Sequence, residues 1–182
     1  YRSTEGWNGR QEQIDFALGP APERRRRTFA FAQLTDLHVA LDKGRYYDPP
    51  ALRADLRRAL SGWDPAFVVA TGDLTDRGDL PSLKAYRKVL AAAPCPVFHM
   101  FGGHDGLAEN RAPGYEKGDP CTRRYESVLG PAYYSFDWGG RHFVVFPNED
   151  HFFAPSEAQA KDRWLTADMR AHAGRETVLF IH

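Results

Sequence analysis

An α/β fold, with helices laid on strands that run parallel, is what this sequence predicts, and three observations carry the prediction. From Phe29 onward, apolar runs the length of buried strands alternate with segments of helical period. The helical segments open on Pro50, Pro81 and Pro155, where a first turn tolerates proline because that N–H has no intrahelical partner in any case. A Gly139-Gly140 pair separates two short apolar runs, which is the signature of a hairpin turn.

Taken in order, residues 29–35 are the first strand. Residues 50–60 follow as a helix with Leu52, Leu56, Ala59 and Leu60 on one face, ended by Gly62. Residues 66–71 are the second strand, residues 81–92 a second helix carrying Leu83, Tyr86, Val89 and Leu90, and residues 96–101 the third strand. Strands joined through helices imply parallel pairing. Residues 103–121 read as a long polar loop of the kind that carries specificity. Residues 133–138 and 142–146 flank the glycine pair and are expected to join the same sheet as an antiparallel pair. Residues 155–173 form a further helix with Trp164, Leu165 and Met169 apolar, and residues 177–181 a last strand. Residues 1–28, with Gly, Asn and Pro punctuation and one short alternating stretch at 14–18, read as an extension or linker. Residues 29–182 read as one domain.

The bulk numbers narrow the function classes. A chain of 182 residues suffices for one core and is short for two. Its 42% hydrophobic and 13% aromatic content excludes a disordered tail. With 24 basic and 24 acidic residues the net charge is zero, so nothing global advertises nucleic acid or membrane. The run Arg24 to Arg27 reads as a solvated junction and receives no function. No apolar stretch approaches the roughly 20 residues of a membrane-spanning helix. The chain starts at Tyr1 without an initiator Met or a signal-type segment, as a processed or trimmed start does. Cys95 and Cys121 fit no metal knuckle and leave two readings open: free thiols, or one disulfide tying down the intervening loop in an oxidising compartment.

In open sheets of this kind ligands bind beyond the carboxyl ends of the strands. There stand Asp36-Leu37-His38, then Gly72-Asp73-Leu74-Thr75-Asp76-Arg77-Gly78, then Gly102-Gly103-His104-Asp105, and finally His182. Each alone is an ordinary turn former or a satisfied surface residue. Together they deliver carboxylate or imidazole from four strand ends to one rim. Asp36 and His38 lie two apart and would point the same way in extended chain, and a mixed oxygen and nitrogen set suits a divalent transition metal. Asp73 has two oxygens with which to bridge a pair of ions, and Gly72 removes a side chain where backbone and metal come close.

These residues resemble the calcineurin-like metallophosphoesterases, a family marked by DxH, GD, GNH[DE], a later H and a final GHxH. The likeness covers residues 29–182 and extends to Tyr133-Tyr134-Ser135-Phe136. It implies a metallophosphoesterase sandwich, of which this chain supplies mainly the first mixed sheet with flanking helices. It also implies two divalent ions (Mn, Fe, Zn or Co), with Asp36 and His38 on the first, Asp73 bridging and His182 on the second. His104 would contact phosphate and assist the leaving group, oriented by Asp76, with Arg77 as a further phosphate contact; the other reading of Asp76 and Arg77 is a surface pair leading a helix. The reaction implied is hydrolysis of a phosphomonoester or phosphodiester by a hydroxide held between the ions.

Two departures from the family pattern stand out. Gly103 occupies the position of the usual Asn, so the carboxamide donor to the second ion is missing unless water or Asp105 fills the gap, and Gly103→Asn is expected to raise metal occupancy and turnover. Nothing follows His182, so the GHxH pair is expected from the remainder of the same polypeptide or from another chain. Both departures sustain an alternative, a metal- or phosphate-binding scaffold that has lost turnover; a third reading, a fragment of a larger assembly, predicts exposed apolar sheet. His99, His142 and His172 read as structural. His151, beside Glu149 and Asp150, is a possible substrate contact with Phe152 and Phe153 as an apolar wall. The N-terminal piece looks like the tail of a β module that precedes the domain in secreted relatives, which favours a secreted or periplasmic home.

Overall fold

A computed structural model of the chain describes residues 28–42 and 47–182. The linker, the arginine run and the alternating stretch expected within residues 1–27 lie outside the described residues. Three parallel strands, β1 (Ala32–Leu34), β2 (Val68–Thr71) and β3 (Val97–Met100), form one sheet in that order, with Val69 facing Gln33 on one side and Phe98 on the other. Helices α1 (Pro49–Leu60) and α2 (Leu80–Leu90) make the crossovers. Each begins on a capping aspartate: Ala51 N–H donates to Asp48 Oδ1 at 3.0 Å, and Ser82 N–H to Asp79 Oδ1 at 2.9 Å.

The glycine-paired hairpin forms as expected, from β4 (Tyr134–Trp138) and β5 (Arg141–Val145), but it does not join the first sheet. It builds a second one. After β5 the chain passes through α5 (Pro155–Ala171) and returns as β6 (Thr177–Phe180), parallel to β5, giving the order β4-β5-β6. The reason lies in the period of two along a strand. Val69, Phe67 and Met100 point from the first sheet to Phe143, Val145, Trp138 and Phe180 of the second, while Ala70 and its neighbours face the helices with Leu52, Leu56, Leu83 and Tyr86. Aromatic rings fill the interlayer: Phe98 stacks on Phe136 at 3.7 Å between centroids, and Phe31 on Phe67 at 5.0 Å.

Two helices depart from the sequence reading. Residues 103–110, expected as the start of a long loop, are α3 (Gly103–Asn110), and α4 (Arg123–Leu129) follows with Tyr125 fully buried. Three glycines within residues 102–106 suggest a loop. Helix forms there because Asp105 Oδ2 accepts the Gly102 N–H at 3.1 Å, and because Leu107 packs on the core. The disulfide alternative is overturned: Cys95 and Cys121 are both free, Cys121 buried in the helical core and Cys95 half-buried at the far edge of the first sheet. Phe152 and Phe153 form no wall at a site, since both are core residues with 4% exposure each. No helix among the described residues is long and apolar enough to cross a membrane.

Candidate metal centre

The loops that follow β1 and β2 are zipped together by backbone hydrogen bonds. Asp36 N–H donates to the Gly72 carbonyl at 3.2 Å, His38 N–H to Asp73 at 3.0 Å and Val39 N–H to Leu74 at 3.0 Å, so the parallel ladder continues past the strands. The chain is not extended there, which corrects the geometric premise of the sequence reading for Asp36 and His38. Asp36, His38 and Asp73 take φ of 53°, 44° and 49°, and are the positive-φ residues other than glycine among the described residues. Left-handed backbone of this kind gathers at functional sites, where surrounding structure imposes it.

A third loop docks on the second. His104 N–H, in the first turn of α3, donates to Asp73 Oδ1 at 2.9 Å. Beneath it Asp105, 1% exposed, accepts from Thr75 N–H at 2.9 Å, Thr75 Oγ1 at 2.8 Å, Leu74 N–H at 3.2 Å and Gly102 N–H at 3.1 Å. Burial pushes its carboxyl up to about 7 in spite of those four bonds. Glycine is required twice nearby: a Cβ on Gly102 would overlap the Asp73 backbone, and one on Gly78 the Asp105 carbonyl.

Four of the expected site residues meet around Asp73. Its Oδ2 lies 3.8 Å from His38 Nε2, and its Oδ1 lies 3.4 Å from His182 Nε2. Asp36 Oδ1 is 3.7 Å from the same His38 nitrogen. Such separations exceed a hydrogen bond and suit atoms sharing an ion. Two groupings, Asp36 with Asp73 and His182, and His38 with Asp73 and His104, each bring three potential ligand atoms within 4.8 Å of one another. The cradle is shaped for the imidazole too, because a side chain on Gly72 would run into the ring of His182.

His104 stands edge-on to His38, 4.5 Å between ring centroids. Its Nδ1 lies 2.8 Å from the Asp76 carbonyl oxygen, which only accepts, so Nδ1 carries the hydrogen and Nε2 is the remaining ring nitrogen. The Asp76 carboxylate is farther, at 3.8 Å, and pairs with Arg77 Nε at 3.2 Å, so the backbone rather than the side chain of Asp76 orients the ring. Arg77, half exposed, also meets Asp42 at 3.2 Å. His151 is exposed at 3.7 Å from Glu149 Oε2.

The remaining histidines are structural. His99 projects from β3, its Nδ1 2.9 Å from the Tyr86 hydroxyl, and burial, aided by Arg87, lowers it to about 4. Asp137, His142 and His172 form a third grouping within 4.8 Å. There, both His142 nitrogens already face carboxylates, Asp137 at 2.8 Å and Asp168 at 2.7 Å, and Arg175 pairs with Asp137. Burial raises the Asp137 carboxyl, but the hydrogen bonds from His142 and Arg175 outweigh it and hold it below its ordinary value. It is a closed ion-pair network.

Two facing sheets covered by helices, whose strand ends bring imidazoles and carboxylates around one shared carboxylate, define a metallophosphoesterase-type protein. The chain belongs to the calcineurin-like phosphoesterase family, whose profile matches residues 29–182. Among solved structures it is similar to a purple acid phosphatase from yellow lupin (Lupinus luteus) seeds, at 14% identity and a TM-score of 0.53, over 85% of this chain and 30% of that one. The chain therefore spans under a third of that phosphatase's length, and the likeness speaks for the fold. A protein of unknown function from Aquifex aeolicus aligns at 13% identity over 83% of this chain and 89% of that chain, with a TM-score of 0.39. No curated protein matches the chain.

Proposed function

We propose that this site hydrolyses a phosphate ester, with Asp36, His38, Asp73 and His182 holding divalent ions and His104 serving the leaving group. The observation that carries the reading is the division of Asp73, one oxygen toward His38 and the other toward His182, as a bridging carboxylate requires. The donor set fits Mn, Fe, Zn or Co. Divalent ions, when bound, lower the pKa of a coordinated water and neutralise phosphoryl charge.

The chain's own residues do the rest. His104, fixed through Nδ1 by the Asp76 carbonyl, directs Nε2 at the rim, where it would donate a proton to the departing oxygen. The His104 amide fixes the Asp73 carboxylate through Oδ1, the orientation in which it would be shared between ions. Arg77 stands at the edge of an open depression shared with Leu41, Asp42 and Asp79, where it would draw the substrate's phosphate once released from Asp42. Monoester and diester substrates both suit this arrangement.

The test is hydrolysis of chromogenic phosphomonoester and phosphodiester substrates by protein purified with Mn. Asp73→Ala is expected to lower the rate by about a hundredfold or more, since charge stabilisation of several kcal/mol is lost. A rate left unchanged both by Asp73→Ala and by chelation would refute metal-dependent hydrolysis at this site. Metal binding without turnover would favour the scaffold reading, which the Gly103 substitution supports.

A further inference from the structure

The end of the sandwich remote from the metal centre carries a surface that hydrolysis does not use. Helices α1 and α2 both run back from the rim toward the strand starts, so their last turns stand at that end. Leu60, the last residue of α1, packs there against Ala32 and Val68, the first residues of β1 and β2, with Cys95 and Val97 beside them. The turns that follow the two helices are neighbours, since burial, and after it the Asp64 carboxylate, push the Cys95 thiol up.

Basic residues and an indole share this end. The last turn of α1 carries Arg57 and Arg58, and that of α2 carries Arg87 and Lys88, all four exposed. Opposing them in the same helices and turns are Asp55, which pairs with Arg58, and Asp64. Trp63, in the turn after α1, is 41% exposed although its Nε1 donates to the Ala59 carbonyl at 2.7 Å. Its polar atom is thus satisfied by the protein, and what remains for water is ring carbon. Ala91, Ala92 and Pro94, in the turn after α2, are exposed as well. Basic residues in a last turn suit the helix dipole, and that accounts for each pair taken singly. It does not account for the apolar tips beside them.

We propose that this end docks the chain end-on to a membrane surface rich in anionic lipid. Arg57, Arg58, Arg87 and Lys88 pair with headgroup phosphates, while Trp63 sits at the level where headgroups meet acyl chains. The complementarity is local, and the zero net charge of the whole chain does not oppose it. A nucleic-acid duplex would use the cations and leave the indole idle, and a single strand is held by a groove with several aromatic platforms. Docked in this way, the chain keeps its metal centre at the far end, facing away from the bilayer.

Sedimentation of the whole chain with lipid vesicles tests the docking end. Retention is expected on mixed phosphatidylcholine and phosphatidylglycerol vesicles and not on phosphatidylcholine alone, and it falls as salt rises. Reversing four charges together, Arg57→Glu, Arg58→Glu, Arg87→Glu and Lys88→Glu, lowers the partition coefficient by about a hundredfold or more. The circular dichroism of that variant is expected to match the parent's, because the side chains are exposed. Independently of it, the mixed vesicles shift tryptophan emission to the blue in the parent and not in Trp63→Phe. A parent chain that is not retained overturns the proposal, and so does retention undiminished in a folded fourfold variant. Retention with no Trp63-dependent shift places another face on the bilayer and overturns it too. Binding to a duplex DNA fragment but not to vesicles replaces lipid with nucleic acid. None of these outcomes bears on the hydrolysis proposed above, which is read without vesicles.

Discussion

Left-handed backbone at Asp36, His38 and Asp73 costs on the order of 1 kcal/mol per residue, and the ladder between the two loops is what imposes it. Burial stores a second cost at Glu126 in α4, whose carboxyl is raised to about 7. Between its unfolded value near 4.5 and that value the folded chain holds a proton that the unfolded chain has released. The stability this represents is present below about 4.5 and is lost as pH rises through 7. Glu126→Gln is therefore expected to flatten the fall in unfolding free energy, read from urea titrations, between pH 5 and 8, by up to about 3 kcal/mol at the alkaline end; an unaltered pH profile would contradict it. At this scale the sequence named Asp36, His38, Asp73, His104 and His182 because each sits directly past a strand.

Helix α3 shows how an element can hide from pattern reading. Its glycines argue for a loop, yet each answers a steric demand of the fold. Gly106 is the clearest, since a Cβ there would come 2.6 Å from Phe152 and 3.0 Å from Phe101. Alanine in a helix interior normally gains about 1 kcal/mol over glycine. Here overpacking reverses the sign, and Gly106→Ala is expected to lower stability by about 1–2 kcal/mol. Thermal denaturation checks it, with Gly106→Ala in a Phe152→Leu background recovering part of the loss; a stabilised single variant would show that Phe152 yields freely. By contrast α1 and α2 were legible to within a residue or two, because capping aspartates, early prolines and a regular apolar face agree. Helix α4 is short, and its burial rests on Tyr125, Val128 and Leu129 meeting partners remote in sequence.

At the scale of the molecule, the alternation within strands declared two faces but could not say which sheet a strand would join. The hairpin's separation from β1–β3 is settled by aromatic pairs such as Phe98 with Phe136, which the linear pattern does not express. That division has a thermodynamic consequence, since Asp73 follows β2 of one layer and His182 follows β6 of the other. An ion held by both stabilises the folded chain by about 2.7 kcal/mol when free metal is a hundredfold above Kd, which for this size raises Tm by roughly 5–10 °C. Chelation is expected to remove that increment from the native chain and to leave Asp73→Ala untouched; a melting curve indifferent to chelator would sink the idea. Leu179 in β6 and Ile181 just after it, both open to water, lie beside the same joint. A metal between the layers would then act as a rivet, and starving the protein of it would loosen the seam at the mouth of the sandwich before the ring-filled middle, so that deuterium uptake would start beside His182 and spread inward.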